Sequence, residues 1–162
     1  FAEKKVVDFL PAKFKGAFPV GRLDKNSSGL LILTNDGDLC YRLTHPKFSV
    51  EKEYIARVSG IFRQDDCLRA KKGVIDEGEH LKVSDIKILK TEKQDTVCGV
   101  IVCEGKKRHL RRLFSGLDFP VKELKRIRIG RLHLGDLPPG EYRIVEKDEL
   151  DGVADGAGKT VR

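Results

Sequence analysis

The alternation of apolar and polar positions predicts a chain built mainly from short strands. The clearest signal is EKEYIARVSG, residues 51–60, in which apolar side chains recur at every second position, as in a half-buried strand. Further strands are expected at 17–23, 30–34, 82–89 and 96–103. Because short connections join several of these segments, antiparallel pairing is favoured.

The helical signal is strongest at residues 110–117, whose apolar side chains are spaced i, i+3, i+4 and i+7 and therefore form one stripe. On this helix Arg111 borders the stripe, Arg108 lies near it and Arg112 points to the opposite side. Arg111 thus has a position in which a guanidinium can be half-buried and pair with a carboxylate. Further helices are expected at 1–10, at 39–43 after a capping turn at 35–38, and at 64–72 before Gly73.

The segment LKRIRIG alternates again and predicts another strand, with Ile127 and Ile129 facing inward and Arg126 and Arg128 facing outward. The apolar parity changes after Gly130, so a bulge or a tight turn is expected there. Strands outnumber helices along the whole chain. We therefore expect an α+β fold with a mixed, largely antiparallel sheet and a few helices.

One domain is expected to span residues 1–150, because 162 residues is close to the usual size of a single domain. A flexible tail is expected at 151–162, which is rich in Gly, Asp and Ala. The chain begins at Phe1 and contains no Met, so we expect the domain to lack part of its N-terminal region.

The composition, 40% hydrophobic and 35% charged, is that of a soluble globular protein. No apolar run approaches the roughly 18 residues of a membrane span, and no signal-peptide pattern is found, so we expect a cytoplasmic protein without a membrane partner. The four cysteines, at positions 40, 67, 98 and 103, form no Cys-x-x-Cys pair, and the four histidines are dispersed. Reduced thiols are therefore expected, with neither a disulfide framework nor a metal site.

Positive charge is concentrated in one window of the chain. Between Lys106 and Arg131 there are ten Lys or Arg residues and two acidic ones, so this window carries +8 and the rest of the chain sums to −1. A basic surface of this density is typical of proteins with a polyanionic partner, most often a nucleic acid. A solvated basic face without a partner is the alternative, although such faces usually interleave acids.

The stretch GRLDKNSSGLLILTND contains the strongest candidate for chemistry. Asp24, Asn26, Ser28 and Gly29 have the spacing that opens an EF-hand calcium loop. The twelfth loop position, however, is Asn35 instead of a bidentate Glu, and the preceding positions form an apolar strand. Calcium is therefore rejected, and two interpretations of Asp24 stay open at this point: a structural Asx turn and a catalytic carboxylate.

Three stretches, in the right order, resemble the pseudouridine synthases of the RsuA type, which modify ribosomal or transfer RNA. GRLDKNSSGLLILTNDGDL resembles their catalytic motif, EKEY their Lys-x-Tyr strand, and EGKKRHLRRLF with VKELKRIRIGRLHLGDLPPGEYR their C-terminal motifs. The resemblance extends from about Phe18 to Arg143. It implies the pseudouridine synthase catalytic fold, an isomerase that needs no cofactor and no metal, and RNA as the partner.

By this resemblance Asp24 is the catalytic aspartate, Tyr54 the aromatic residue against the target base, and Arg111 the ion-pair partner of Asp24. Arg22 matches the residue that fills the gap left by the extruded nucleotide. The remaining basic residues are interpreted as RNA-backbone contacts, which set affinity and not sequence choice: Lys107, Arg108, Arg112, Arg126 and Arg128. Without the resemblance, Tyr54 is equally well a core-edge aromatic residue and Arg111 one more phosphate contact.

The sequence therefore predicts an RNA pseudouridine synthase that flips a specific uridine out of structured RNA and uses an aspartate nucleophile. Ribosomal RNA is the first expectation for the substrate, transfer RNA is the alternative, and a monomer is the default oligomeric state. The sequence leaves open whether the carboxylate attacks C1′ or C6. The rival interpretation is a non-catalytic RNA-binding module with the same basic surface.

Overall fold

The structure, a computed structural model, describes residues 6–150. The predicted tail at 151–162 and the first half of the helix predicted at 1–10 lie outside this range. Within it, Val6–Phe9 and Ala12–Phe14 form short 3-10 helices in place of a regular α-helix. Pro11 separates them, and a proline ring is incompatible with a continuous α-helix through this position.

Ten strands and four α-helices are found within residues 6–150. The strands are β1 (Phe18–Pro19), β2 (Ser28–Gly29), β3 (Leu33–Thr34), β4 (Lys52–Ser59), β5 (Val74–Asp76), β6 (Glu79–Leu81), β7 (Asp85–Thr91), β8 (Asp95–Val102), β9 (Val121–Ile129) and β10 (Leu132–His133). The α-helices are α1 (Gly37–Thr44), α2 (Gln64–Lys72), α3 (His109–Gly116) and α4 (Lys147–Leu150).

The central sheet has the strand order β10-β9-β4-β8-β7, and β2 joins it by pairing in parallel with β9. Two small ribbons, β1 with β3 and β5 with β6, lie outside this sheet. Within the described range, every strand pair except β2 with β9 is antiparallel. The predicted α+β fold with a mixed, largely antiparallel sheet is therefore confirmed.

Segments with a long, regular periodicity fold close to their predicted bounds, as β4, α2 and α3 show. The predicted capping turn is also present, because the side chain of Asp36 accepts a hydrogen bond from the N–H of Leu39 at 3.0 Å and α1 begins there. Gly130, with φ of +55°, begins the tight turn between β9 and β10. The strands predicted at 17–23 and 30–34 shorten to β1 and β3, because the chain between them pairs with β9 through β2.

Two clusters of buried apolar side chains form the core. The larger lies between the central sheet and the helices α2 and α3. The smaller contains Val20 and Leu30 and packs them against Leu43 of α1 and Ile129 of β9. Because Val20 and Leu30 flank the loop 21–29, the smaller cluster anchors both ends of that loop to the rest of the fold.

Arg126 lies on the face of β9 opposite to the one that alternation predicts. The register between β4 and β9 shifts between Glu53 and Tyr54, which leaves Ile127 as an extra residue in β9. This bulge changes the parity, so that Arg126 and Ile129 line the same cleft. The prediction that Arg126 points outward is therefore wrong, since its side chain is only 3% exposed.

Candidate active site

The loop between β1 and β2 presents Asp24 next to the central sheet. Its turn is closed by backbone atoms, with the N–H of Ser27 donating to the carbonyl oxygen of Asp24 at 2.8 Å. After the turn, the N–H of Leu30 donates to the carbonyl oxygen of Arg126, also at 2.8 Å. The polar local sequence makes the turn, and the pairing with β9 determines where the carboxylate lies.

Gly29 allows this loop to approach β9 closely. It has φ of +104°, a backbone conformation that residues other than glycine rarely adopt. A Cβ atom added there would lie 2.1 Å from the carbonyl oxygen of Arg126, far inside van der Waals contact. Glycine at this position is therefore needed both for the turn and for the seating of the loop on the sheet.

A cleft of about 260 Å³ opens between this loop, β4 and the N-terminal end of α3. Asp24 and Tyr54 both line it, although they are 30 positions apart in the chain. Tyr54 is half-buried and pairs across the sheet with Arg126. Six of the nine predicted site residues line the cleft: Arg22, Asp24, Tyr54, Lys107, Arg108 and Arg126.

Arg111 contacts the loop from α3, and it is half-buried as predicted. Its Nη2 donates to the carbonyl oxygen of Asn26 at 2.6 Å and its Nη1 to the carbonyl oxygen of Val121 at 3.2 Å. No nitrogen of Arg111 lies within 4.0 Å of the carboxylate of Asp24, so the predicted ion pair is not present. The guanidinium instead joins the backbone two residues after Asp24 to the start of β9.

Lys52 also lines the cleft, although it is not among the predicted site residues. Its half-buried ammonium group makes one long hydrogen bond, to the carbonyl oxygen of Val50 at 3.5 Å. Burial, and after it the nearby charge of Arg126, lower the pKa of Lys52 from its usual value. Two signals identify Lys52: it is the lysine of the segment EKEY that resembles the Lys-x-Tyr strand, and residues two apart on a strand, such as Lys52 and Tyr54, share a face.

Arg126 is fixed in the floor of the cleft. Its Nε donates to the carbonyl oxygen of Leu30 at 2.8 Å, and its Nη2 is buried without a hydrogen-bond partner in the part of the chain that the structure describes. A guanidinium with so little exposure does not reach a phosphate on the protein surface. The predicted backbone-phosphate role of Arg126 must therefore be corrected, for the same reason as its orientation.

Arg112 is held by the β5–β6 ribbon. Its Nε lies 2.5 Å from the carboxylate of Asp76, and its Nη1 lies 2.5 Å from that of Glu79. Hydrogen bonds with these two carboxylates raise the pKa of Arg112. This cation is already paired and connects α3 to the ribbon, which argues against the predicted phosphate contact.

Arg128 is paired in a similar way on the other side of the sheet. Its Nε donates to Glu53 at 2.8 Å and its Nη2 to Glu51 at 3.1 Å. Burial alone lowers the pKa of Arg128, but the hydrogen bonds with Glu53 and Glu51 outweigh burial, and the pKa is raised. Its side chain is 14% exposed, and its pairing argues against the predicted contact of Arg128 with the RNA backbone.

The exposed cations at the mouth of the cleft are Arg22, Lys107 and Arg108. Arg108 has φ of +51° and directly precedes α3, so the chain turns sharply there and places 107–108 beside the cleft. These three side chains are the predicted RNA contacts that stay accessible in the structure.

His109 fixes the first turn of α3 beneath this mouth. Its imidazole is 5% exposed, and its Nε2–H donates to the carbonyl oxygen of Lys82 at 2.8 Å. Burial lowers the pKa of His109, and the hydrogen bond to Lys82 opposes this effect without cancelling it. The ring is therefore held in its neutral form near pH 7.

Within residues 6–150, no group of three or more His, Cys, Asp or Glu side chains is placed to bind a metal ion. The four cysteines are free thiols, and burial raises the pKa of Cys98 to about 12, which makes its thiol inert. In the same range, no helix has the length and apolar character that a membrane span requires.

Residues 7–116 match the family model described as RNA pseudouridylate synthase. A crystal structure of a pseudouridylate synthase is similar to this fold with a TM-score of 0.80 and 26% identity, over 91% of this chain and 64% of that chain. With the fold and the cleft, these matches show that the chain belongs to the RNA pseudouridine synthase family, as its three ordered motifs predict.

Two relatives with known sequences are similar to this chain over most of its length. The chain is 42% identical over 133 residues to an uncharacterized RNA pseudouridine synthase of Aquifex aeolicus, and the aligned part covers 82% of this chain and 53% of the relative. It is 34% identical over 149 residues to ribosomal large subunit pseudouridine synthase B of Bacillus subtilis, covering 91% of this chain and 61% of the relative. The chain thus spans somewhat more than half the length of these relatives.

Proposed function

We propose that the protein is an enzyme that converts a uridine of structured RNA into pseudouridine, with Asp24 as its catalytic carboxylate. The observation that carries this proposal is that Asp24 and Tyr54 line one cleft whose mouth bears exposed cations. A carboxylate and an aromatic ring in a cleft of about 260 Å³ offer a place for one extruded base.

The reaction breaks the N1–C1′ glycosidic bond, and the electron pair of this bond stays on N1 of the uracil. After the base turns, C5 bonds to C1′, C5 loses its proton, and N1 gains one. Substrate and product therefore contain the same atoms and electrons. Asp24 supports this rearrangement as a nucleophile at C1′ or C6, or by holding a glycal-type intermediate.

Tyr54 and Arg22 have roles in extruding the base. Taking a nucleotide out of a stacked RNA helix costs a few kcal/mol. Stacking of the base on Tyr54 recovers about 1–3 kcal/mol, and Arg22, exposed at the mouth of the cleft, fills the gap that the nucleotide leaves in the RNA.

Arg111 acts as a positioning residue in this proposal. Its bonds to Asn26 and Val121 fix the turn that carries Asp24, which keeps the carboxylate aimed at the ribose. Lys107 and Arg108 bind the RNA backbone and, with Arg22, supply the salt-dependent part of the affinity.

Ribosomal RNA is the proposed substrate, and the similarity to ribosomal large subunit pseudouridine synthase B of Bacillus subtilis supports this choice. Transfer RNA is the alternative. We take the protein to act as a monomer in the cytoplasm.

Mapping pseudouridine in RNA from cells with and without the protein tests the proposal. A uridine that is modified only in the presence of the protein is expected, and the map names the site. In cells that lack the protein, the Asp24→Asn variant should not restore the modification, although it should still bind the RNA. The matched control replaces Asp65, an exposed residue of α2, and the Asp65→Asn variant should restore the modification.

The rival function is a non-catalytic RNA-binding module. An unchanged pseudouridine map together with RNA binding by the wild-type protein would favour that rival. Full activity of the Asp24→Asn variant would instead show that the protein is an enzyme whose mechanism does not require Asp24.

A further inference from the structure

Two cations on the floor of the cleft have no acidic partner among residues 6–150. Lys52 of β4 is half-buried, and Arg126 of β9 is 3% exposed. Among the described residues, no carboxylate oxygen lies within 4.0 Å of a side-chain nitrogen of either. Outside the cleft, by contrast, Arg112 and Arg128 are each paired with two carboxylates at 2.5–3.1 Å.

The charges of the cleft floor do not balance. Glu104 also lines the cleft, but its carboxylate pairs with Lys106 at 2.9 Å. Asp24 then supplies one negative charge against the two positive charges of Lys52 and Arg126. Since an uncompensated charge is costly away from water, this floor is suited to a ligand that brings one negative charge.

The position of Lys52 indicates which part of an RNA substrate brings that charge. Lys52 and Tyr54 lie two positions apart on the same face of β4, and Arg126 is the cross-strand partner of Tyr54. A base stacked on Tyr54 therefore lies beside both cations. RNA phosphates, in contrast, meet the exposed Arg22, Lys107 and Arg108 at the mouth of the cleft.

We propose that Lys52, supported by Arg126, contacts the uracil ring and stabilises the negative charge that the ring carries while it is detached from the ribose. When the N1–C1′ bond breaks, its electron pair stays on N1 and is delocalised onto the carbonyl oxygens O2 and O4. A fixed cation beside these oxygens binds the detached base more tightly than the neutral uridine, which is the condition for catalysis. This assignment rests on the proposed function.

Arg126 acts through Lys52 and the loop. Its Nε bond to Leu30 holds the end of the Asp24 loop, and its buried charge adds to the positive potential at Lys52. It is therefore a positioning residue, whereas Lys52 touches the base.

The test uses RNA from cells that lack the protein, labelled with [5-³H]uridine, because C5 loses its hydrogen in the reaction. Tritium release is measured under single-turnover conditions for the wild type, Lys52→Met, Lys52→Arg and Lys87→Met. Lys87 is an exposed lysine of β7 and serves as the matched control. RNA affinity is measured with the same variants at several salt concentrations.

We expect Lys52→Met to lower the single-turnover rate about 10²- to 10³-fold while the Kd for RNA and its salt dependence stay unchanged. Lys52→Arg, which keeps the charge, should retain most of the rate, and Lys87→Met all of it. A Lys52→Met rate equal to that of Lys87→Met overturns the proposal. So does a loss of affinity in which the slope of log K against log salt falls by about 0.7–0.9, because Lys52 would then be a phosphate contact.

The outcomes also separate this proposal from the proposed function. A wild-type protein that binds RNA but releases no tritium overturns both, whereas an active wild type with an equally active Lys52→Met variant overturns only the role of Lys52. Thermal melting confirms that each variant is folded. If Lys52→Met does not fold, Lys52→Gln replaces it under the same criteria.

Discussion

The guanidinium of Arg111 donates to the backbone carbonyl oxygen of Asn26 at 2.6 Å and thereby connects α3 to the turn that carries Asp24. These two residues are 85 positions apart in the chain. The bond makes the position of the candidate nucleophile depend on the packing of α3 against the sheet. It also distinguishes Arg111 from its neighbour Arg112, whose bonds go to the β5–β6 ribbon.

Arg111→Ala should therefore lower the turnover rate by about 100-fold or more, because a displacement of about 1 Å at a reacting group has an effect of this size. The Kd for RNA should change little, since Arg111 does not line the cleft. Single-turnover kinetics at saturating protein, together with RNA binding, measures the two effects separately.

Arg112→Ala is the matched control for Arg111→Ala. It removes the partner of Asp76 and Glu79, so the melting temperature should fall, while the turnover rate per folded molecule should stay close to that of the wild type. Equal and small losses of turnover in both variants would contradict the role assigned to Arg111.

Gly29→Ala should destabilise the fold by more than about 2 kcal/mol, because it combines a strained positive φ with a clash against the backbone of Arg126. Activity should fall in the molecules that still fold, since the Asp24 loop can no longer seat on β9. Urea denaturation gives the free energy of unfolding. Gly37→Ala, at the first position of α1 with open space around it, should be neutral or slightly stabilising.

His109 should make stability depend on pH. Its pKa is lowered in the folded protein, so the unfolded chain binds more protons once the pH falls to about 6.5, the usual pKa of His. The free energy of unfolding therefore decreases as the pH is lowered through this range, by at most about 1.4 kcal/mol per pH unit.

Urea denaturation at pH 7.5, 6.5 and 5.5 measures this dependence. His109→Gln removes the titrating group but keeps a side-chain donor for the carbonyl oxygen of Lys82, so its stability should vary less with pH. His133→Gln, at an exposed position, should behave as the wild type does. An identical pH dependence in all three proteins would show that the imidazole of His109 is not responsible.

The salt dependence of RNA binding should separate exposed cations from paired ones. Lys107→Ala should reduce the slope of log K against log salt by about 0.7–0.9, the value for one lost phosphate contact. Arg128→Ala should leave the slope unchanged, because its charge is already paired with Glu51 and Glu53. A reduced slope for Arg128→Ala would mean that RNA displaces these carboxylates.

Sequence periodicity alone was sufficient for β4, α2 and α3, whose spacing reflects burial on one face over eight or nine residues. The turn at Asp24 and the cap at Asp36 were also predictable, since short polar side chains and glycine determine such turns locally. Asp24 and Tyr54 were assigned to a site through the resemblance of their motifs to the RsuA-type pseudouridine synthases, because without it Asp24 is equally well an Asx-turn residue and Tyr54 a core-edge aromatic residue.

The tertiary structure decided where the remaining arginines lie and which groups they contact. The bulge at Ile127, which depends on how β9 pairs with β4, turns Arg126 into the cleft. Arg111 meets Asn26 of the loop, 85 positions away, and Arg112 meets Asp76 and Glu79 of the β5–β6 ribbon, 36 and 33 positions away. A local pattern specifies which side of an element a residue occupies, but strand register and long-range packing determine which charge, carbonyl or cavity it meets there.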